Sequence, residues 1–146
     1  MLAKLTLGVG LGFLWFGLSA SSVAGQTAST TRDGVYTAAQ AQQGKILYGK
    51  QCASCHADSL DGVGQNPPLA GDDFLNNWQD QTLADLDTKI RTTMPATKPG
   101  SLTPEETAQL LAYMLSANKF PTGKTELPAD AGQLKAIQIE PLPAKP

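Results

Sequence analysis

The chain has 146 residues, enough for one domain with terminal extensions. Eleven Lys and Arg against thirteen Asp and Glu give a net charge of −2, which excludes a broadly basic nucleic-acid binder. Aromatic residues reach only 6%, so a core of side chains alone would be thin, and small domains of this kind often lean on a metal or cofactor.

Met1 to Ala24 reads as a secretory signal peptide. Lys4 supplies the positive start, Leu5 to Leu18 is uncharged and largely apolar, and Ser22-Val23-Ala24 fits the small-x-small cleavage pattern. The competing reading is a membrane anchor, but spanning hydrocarbon takes about 20 apolar residues. This run has 14, four of them glycine. The expectation is therefore export to the periplasm with no membrane span after cleavage. Residues 25–32, a Ser/Thr/Ala/Gln-rich stretch without apolar periodicity, read as a flexible leader.

Three helices are predicted after it. Thr37 with Gln40 three residues on has the capping-box pattern, and Gly44, Leu47 and Tyr48 then share one face on the way to Cys52. Residues 57–71 are rich in Gly, Pro, Asn and Asp and read as loop, with Pro67-Pro68 the strongest breaker. Thr82 and Asp85 open a second helix carrying Leu83, Leu86 and Ile90, which must end before Pro95. Thr103-Pro104-Glu105-Glu106 is the clearest start: N-cap, Pro at the first helical position, acid at the third. That helix carries Leu110, Tyr113, Met114 and Ala117 as an apolar stripe to about Asn118. Residues 121–146 hold five prolines and read as a Pro-rich tail with at most one short helix, near Asp130 to Ile137. No strand alternation stands out. The fold class is all-α with long loops.

The chain's two Cys and single His fall within five positions, Cys52-Ala53-Ser54-Cys55-His56. C-x-x-C-H is the pattern of c-type haem attachment. Two thiols at this spacing can add to the two vinyl groups of one porphyrin as thioethers, and the adjacent His then reaches the iron. The rivals each lack a partner. A thioredoxin-type C-x-x-C belongs near a βαβ pattern, which is missing. Structural zinc needs four Cys or His ligands, and a plain Cys52–Cys55 disulfide leaves His56 unexplained. One covalently bound haem c is the expected cofactor, held by Cys52 and Cys55.

No second His can serve as the sixth ligand. Met114 lies in the stripe of the last helix, where core packing is the simpler role. Met94 sits in a loop, held extended by Pro95, and a loop thioether can approach the open face of an iron. The iron ligands expected are His56 and Met94, the pair that raises reduction potential in cytochromes c.

At this point the sequence resembles the class I cytochromes c. The residues that carry the resemblance are Gly44-x-x-x-Tyr48-x-x-x-Cys52, the haem motif, Pro67-Pro68-Leu69-Ala70-Gly71, Met94-Pro95, and Leu110 to Leu115. It covers residues 33–120, the expected cytochrome c domain. It implies three main helices wrapped around one haem, with the first and last crossing at Gly44 and Tyr48 packing on Tyr113. It further implies a hydrogen bond from the His56 ring to the Pro67 carbonyl, and Trp78 in a segment wrapped around haem. Asp33-Gly34-Val35-Tyr36, Pro99-Gly100-Ser101-Leu102 and Glu126-Leu127-Pro128 are similar to cytochrome modules found with periplasmic quinoprotein dehydrogenases.

The function expected is a periplasmic one-electron carrier, not an enzyme, with redox proteins as partners: a dehydrogenase as donor, an oxidase or another cytochrome as acceptor. Two alternatives stay open: a subunit permanently bound to a quinoprotein dehydrogenase, and a haem enzyme or gas sensor with a labile sixth ligand. Charge order adds a docking expectation. Seven Asp and no Lys or Arg lie between Gln51 and Thr88, whereas Lys89, Arg91 and Lys98 follow with no acid before Pro104. The loop around Met94 is thus locally basic on an acidic chain.

Overall fold

Two helices that cross at one glycine set the frame. A computed structural model of the chain describes residues 29–141 and 143, so the expected signal peptide and the first part of the leader lie outside the described residues. Helix α1 (Ala38–Gln51) starts where Thr37 Oγ1 accepts from the Gln40 N–H. The box is not closed reciprocally, because the Gln40 side chain bonds Leu127 instead, donating to its carbonyl at 2.9 Å and accepting from its N–H at 2.7 Å. Helix α5 (Pro104–Ala117) has Pro at its first turn and a closed box between Thr103 and Glu106. At the crossing, a Cβ on Gly44 would stand 1.8 Å from the Gln109 carbonyl oxygen, so only hydrogen fits there. One turn further along, the Tyr48 and Tyr113 rings meet with centroids 5.2 Å apart and planes tilted by 57°.

A short helix, α2 (Ala53–His56), continues α1 after a break at Cys52. Helix α3 (Asp72–Trp78) buries Phe74 and follows the 57–71 loop; it was not among the predicted helices, since seven residues give too few turns for a period to show. Helix α4 (Leu83–Thr93) is capped by a closed box between Thr82 and Asp85 and stops at Met94, whose backbone is extended before Pro95. Among the described residues there are six α-helices and one minimal sheet: β1 (Ser29–Thr30) pairs in parallel with β2 (Ile137–Gln138). Strands of two residues leave no alternation to read. Apart from this sheet the described residues are all-α with long loops, as the sequence predicts.

Both ends extend the core beyond the 33–120 boundary drawn from sequence. Thr31, in the stretch read as flexible leader, is fully buried and exchanges hydrogen bonds with Glu140. Arg32 pairs with Glu140 and donates to the Pro141 carbonyl. In the stretch read as tail, Leu127, Leu134, Ile137 and Ile139 are buried, with Leu134 on the short helix α6 (Ala131–Lys135). This segment lies against α4, and Ile139 exchanges backbone bonds with Asp80 and Gln81. Prolines suggested an extended tail; the apolar residues spaced between them anchor it.

Two outcomes are expected. Gly44→Ala forces backbone apart at the α1–α5 crossing and lowers stability by about 3 kcal/mol or more, read by urea unfolding. The second concerns Asp87 on α4, which is 2% exposed. Its Oδ1 has no hydrogen-bond partner among the described residues, and Oδ2 lies 3.7 Å from the Arg91 guanidinium. Burial pushes its carboxyl above the usual 3.8, with Arg91 pulling back in part. The folded state therefore holds this proton longer than the unfolded chain. The associated stability is complete below the unfolded value and is lost as pH rises through the folded one. Asp87→Asn should flatten that decline and raise the urea midpoint at neutral pH; an unchanged or lower midpoint contradicts it.

Candidate functional site

The α1–α5 crossing leaves a slot between their C-terminal halves and α4. An apolar cavity of about 260 Å³ lies there. One wall comes from the end of α1 and α2, with Tyr48, Cys52, Cys55 and His56; a second from the proline loop and α3, with Pro67, Leu69, Phe74 and Trp78. The far wall is Leu86 and Ile90 of α4 with the Met94 loop, and Leu110 and Met114 of α5 close the floor. All six residues singled out from sequence as cofactor contacts line this cavity: Cys52, Cys55, His56, Pro67, Trp78 and Met94.

Local structure explains how each is presented. The break in the helix at Cys52, with φ −127° and ψ −36°, turns the C-x-x-C-H segment across the end of α1. The Tyr48 hydroxyl reaches over the break and donates to the Ala57 carbonyl at 2.6 Å. Burial raises the Tyr48 pKa, with Cys52 and Tyr113 adding to it. No disulfide joins the two cysteines; Cys52 is half-buried and Cys55 exposed. Burial, helped by the neighbouring Cys55, pushes the Cys52 thiol up to about 11.

His56 is only 7% exposed. Its Nδ1 lies 2.8 Å from the Pro67 carbonyl, which only accepts, so Nδ1 carries the proton and donates. That leaves Nε2 as the basic nitrogen, with no hydrogen-bond partner among the described residues. Both methionines outside the N-terminal segment reach the cavity, so lining alone does not separate them. They differ in setting. Met114 is 4% exposed within the stripe of α5, and Met94 is half-buried at the extended cap of α4.

Sequence reading did not single out Asn77 or Gln51, which contribute polar groups to the lining. Lys89, named from sequence for the basic run around Met94, also lines the cavity. The residues fit a haem: the walls are apolar, the two thiols are three positions apart, and one imidazole nitrogen is free.

This geometry agrees with the sequence comparison. Residues 39–114 match the family model described as cytochrome C oxidase, cbb3-type, subunit III. The chain belongs to this cytochrome c family. Its members' common chemistry is haem-based electron transfer. Among curated proteins no sequence relative matches. Among solved structures, the chain is similar to one described as the sulfane dehydrogenase SoxCD from Paracoccus pantotrophus, with 23% identity and a TM-score of 0.45. That match covers 78% of this chain and 60% of the other, so this chain spans less than two thirds of its length. None of the described helices is long and apolar enough to cross a membrane.

Proposed function

We propose that this cytochrome is an exported, periplasmic one-electron carrier holding a single haem c, with Cys52 and Cys55 as thioether anchors and His56 and Met94 as axial ligands. What carries the reading is one cavity that receives both thiols, the sole imidazole and the Met94 thioether. The haem, when bound, supplies the ferrous–ferric couple. The chain's own residues do the rest. Cys52 and Cys55 tether the group so that it cannot diffuse away after export. The Pro67 carbonyl fixes the His56 tautomer and makes Nε2 a stronger donor. Met94, in extended backbone at the end of α4, lines the same cavity and would supply its thioether as the other iron ligand. Tyr48, Phe74, Leu86 and Leu110 keep water away from the site. Membership of a cytochrome c family, whose common chemistry is haem-based electron transfer, supports an electron carrier rather than an enzyme. A dehydrogenase donor and a downstream oxidase or cytochrome are the partners this role requires.

Coordination is tested by spectroscopy. Met94→Ala should abolish the far-red band of a methionine-bound ferric haem and lower the potential. Met114→Leu should keep the band and cost under about 1.5 kcal/mol, as a swap of similar volume. Haem should stay on the chain in denaturing gels unless both cysteines are replaced. The reverse outcome for the two methionines would overturn the assignment.

The charge order gives a second test, with one revision. Among the described residues Arg91 is paired with Asp87 on its own helix, whereas Lys89 at the cavity and exposed Lys98 on the Met94 side are in no ion pair. Charges so placed steer encounter more than they add affinity. The electron-transfer rate with the partner should fall as ionic strength passes about 0.1 M, where the Debye length is about 10 Å. Lys98→Glu should slow the reaction at low salt and weaken that dependence, and Arg91→Gln should do so least. A rate indifferent to salt and to Lys98→Glu would point to an apolar contact instead.

A further inference from the structure

Pro67 and Pro68 have fixed φ and no N–H to donate, so this segment does little to hold itself in place. Its position comes from its flanks. On one side, a Cβ on Gly62 would stand 2.3 Å from the Asn66 carbonyl oxygen and 2.9 Å from the Pro67 carbonyl carbon, at a backbone φ of +79°. Loop packs on loop there with no slack. On the other side stands Asn118, 7% exposed at the end of α5. Its Oδ1 accepts from the Gly71 N–H at 3.0 Å. Its Nδ2 donates to the Leu69 carbonyl at 3.1 Å and to the Met114 carbonyl at 2.8 Å. One buried amide thus ties residues 69–71 to the helix that floors the cavity, two residues from the carbonyl that receives the His56 proton.

We infer that Asn118 is a positioning residue for the His56 ring. By anchoring Leu69 and Gly71 on α5, it holds the Pro67 carbonyl where the Nδ1–H donates to it. The inference rests on the His56 ligation proposed above. A stronger bond at Nδ1 makes Nε2 the better donor to iron. Loosening the loop weakens that bond, leaves His56 a poorer donor to ferric iron, and raises the potential.

The test uses the full haem-loaded protein and two readouts. In a Met94→Ala background the reduced iron keeps one axial ligand, and resonance Raman reads its iron–imidazole stretch; with Met94 present, redox titration reads the potential. Asn118→Leu should move the stretch to lower frequency and the potential upward. Asn118→Asp, which keeps the acceptor for Gly71 and loses both donations, should shift each the same way by less, and serves where the leucine variant fails to fold. Gly62→Ala displaces the same carbonyl from the other flank and should also lower the stretch. Gln40→Leu is the control, since it removes two buried bonds to Leu127 at residues outside the cavity lining. It should lower stability and move neither readout. Folded Asn118 variants with both readouts unchanged, or a Gln40→Leu shift of equal size, would overturn the inference alone. A Met94→Ala protein with no iron–imidazole stretch would overturn the His56 ligation, and this inference with it.

Discussion

The close approach of α1 and α5 at Gly44 is the constraint on which the site depends. Because a Cβ there would stand 1.8 Å from the Gln109 carbonyl oxygen, the helix backbones come nearer than side-chain packing allows. That contact fixes where the later turns of each helix lie. Tyr48 comes one turn after Gly44 on α1 and Cys52 caps that helix a turn later, and Tyr113 and Met114 follow Gln109 by about one turn on α5. The two tyrosines fill the angle above the crossing. Beyond them the helices leave the slot, with the C-x-x-C-H segment at its lip. A change at Gly44, far from any ligand, is therefore a change to the slot's width.

How much of this was legible in sequence follows from how local each signal is. Caps are local: Thr37, Thr82 and Thr103 each announced a helix that begins at the next residue. The C-x-x-C-H motif is local too, and so is the Pro after Met94 that stops α4. What escaped depends on partners distant in the chain. Gln40 looked like half of a capping box, yet its amide serves Leu127, 87 residues away. Asn118 looked like a helix end, yet it binds Leu69 and Gly71. The segment after Phe120 read as a tail because proline is visible in sequence, whereas the pockets that take Leu127, Leu134 and Ile139 are not.

That C-terminal segment lies wholly outside the 39–114 region of the family match, and it acts as a brace. It leaves α5 at Phe120, whose carbonyl accepts from the Tyr36 hydroxyl at 2.7 Å. It passes Gly123, whose N–H donates to Tyr36, then crosses the start of α1 at Gln40. It ends against α4, with Ile139 bonded to the Asp80–Gln81 turn and β2 beside β1. None of its described residues lines the cavity. Its contribution is to the back of the helix whose front faces the site: Leu86 and Ile90 look inward, and α6 packs behind. A helix of eleven residues is marginal alone in water and takes its rigidity from packing of this kind.

The polarity of the cavity sets the direction in which such rigidity matters. Lys89 is the one Lys, Arg, Asp or Glu in its lining among the described residues, so no carboxylate faces in. A cavity of this kind solvates charge poorly, so oxidation to the more positive ferric centre is disfavoured relative to water. The Met94 thioether proposed as ligand would act in the same direction, because it stabilises the ferrous form. The Nδ1–H bond from His56 to Pro67 acts in the opposite direction, since a more basic imidazole favours ferric iron. Two of these three influences come from bulk composition and one ligand atom, and small movements of backbone leave them largely unchanged. The third depends on one 2.8 Å contact to a carbonyl between two prolines. On the proposed His56 ligation, fine adjustment of the potential falls to the proline loop and to Gly62 and Asn118 that hold it.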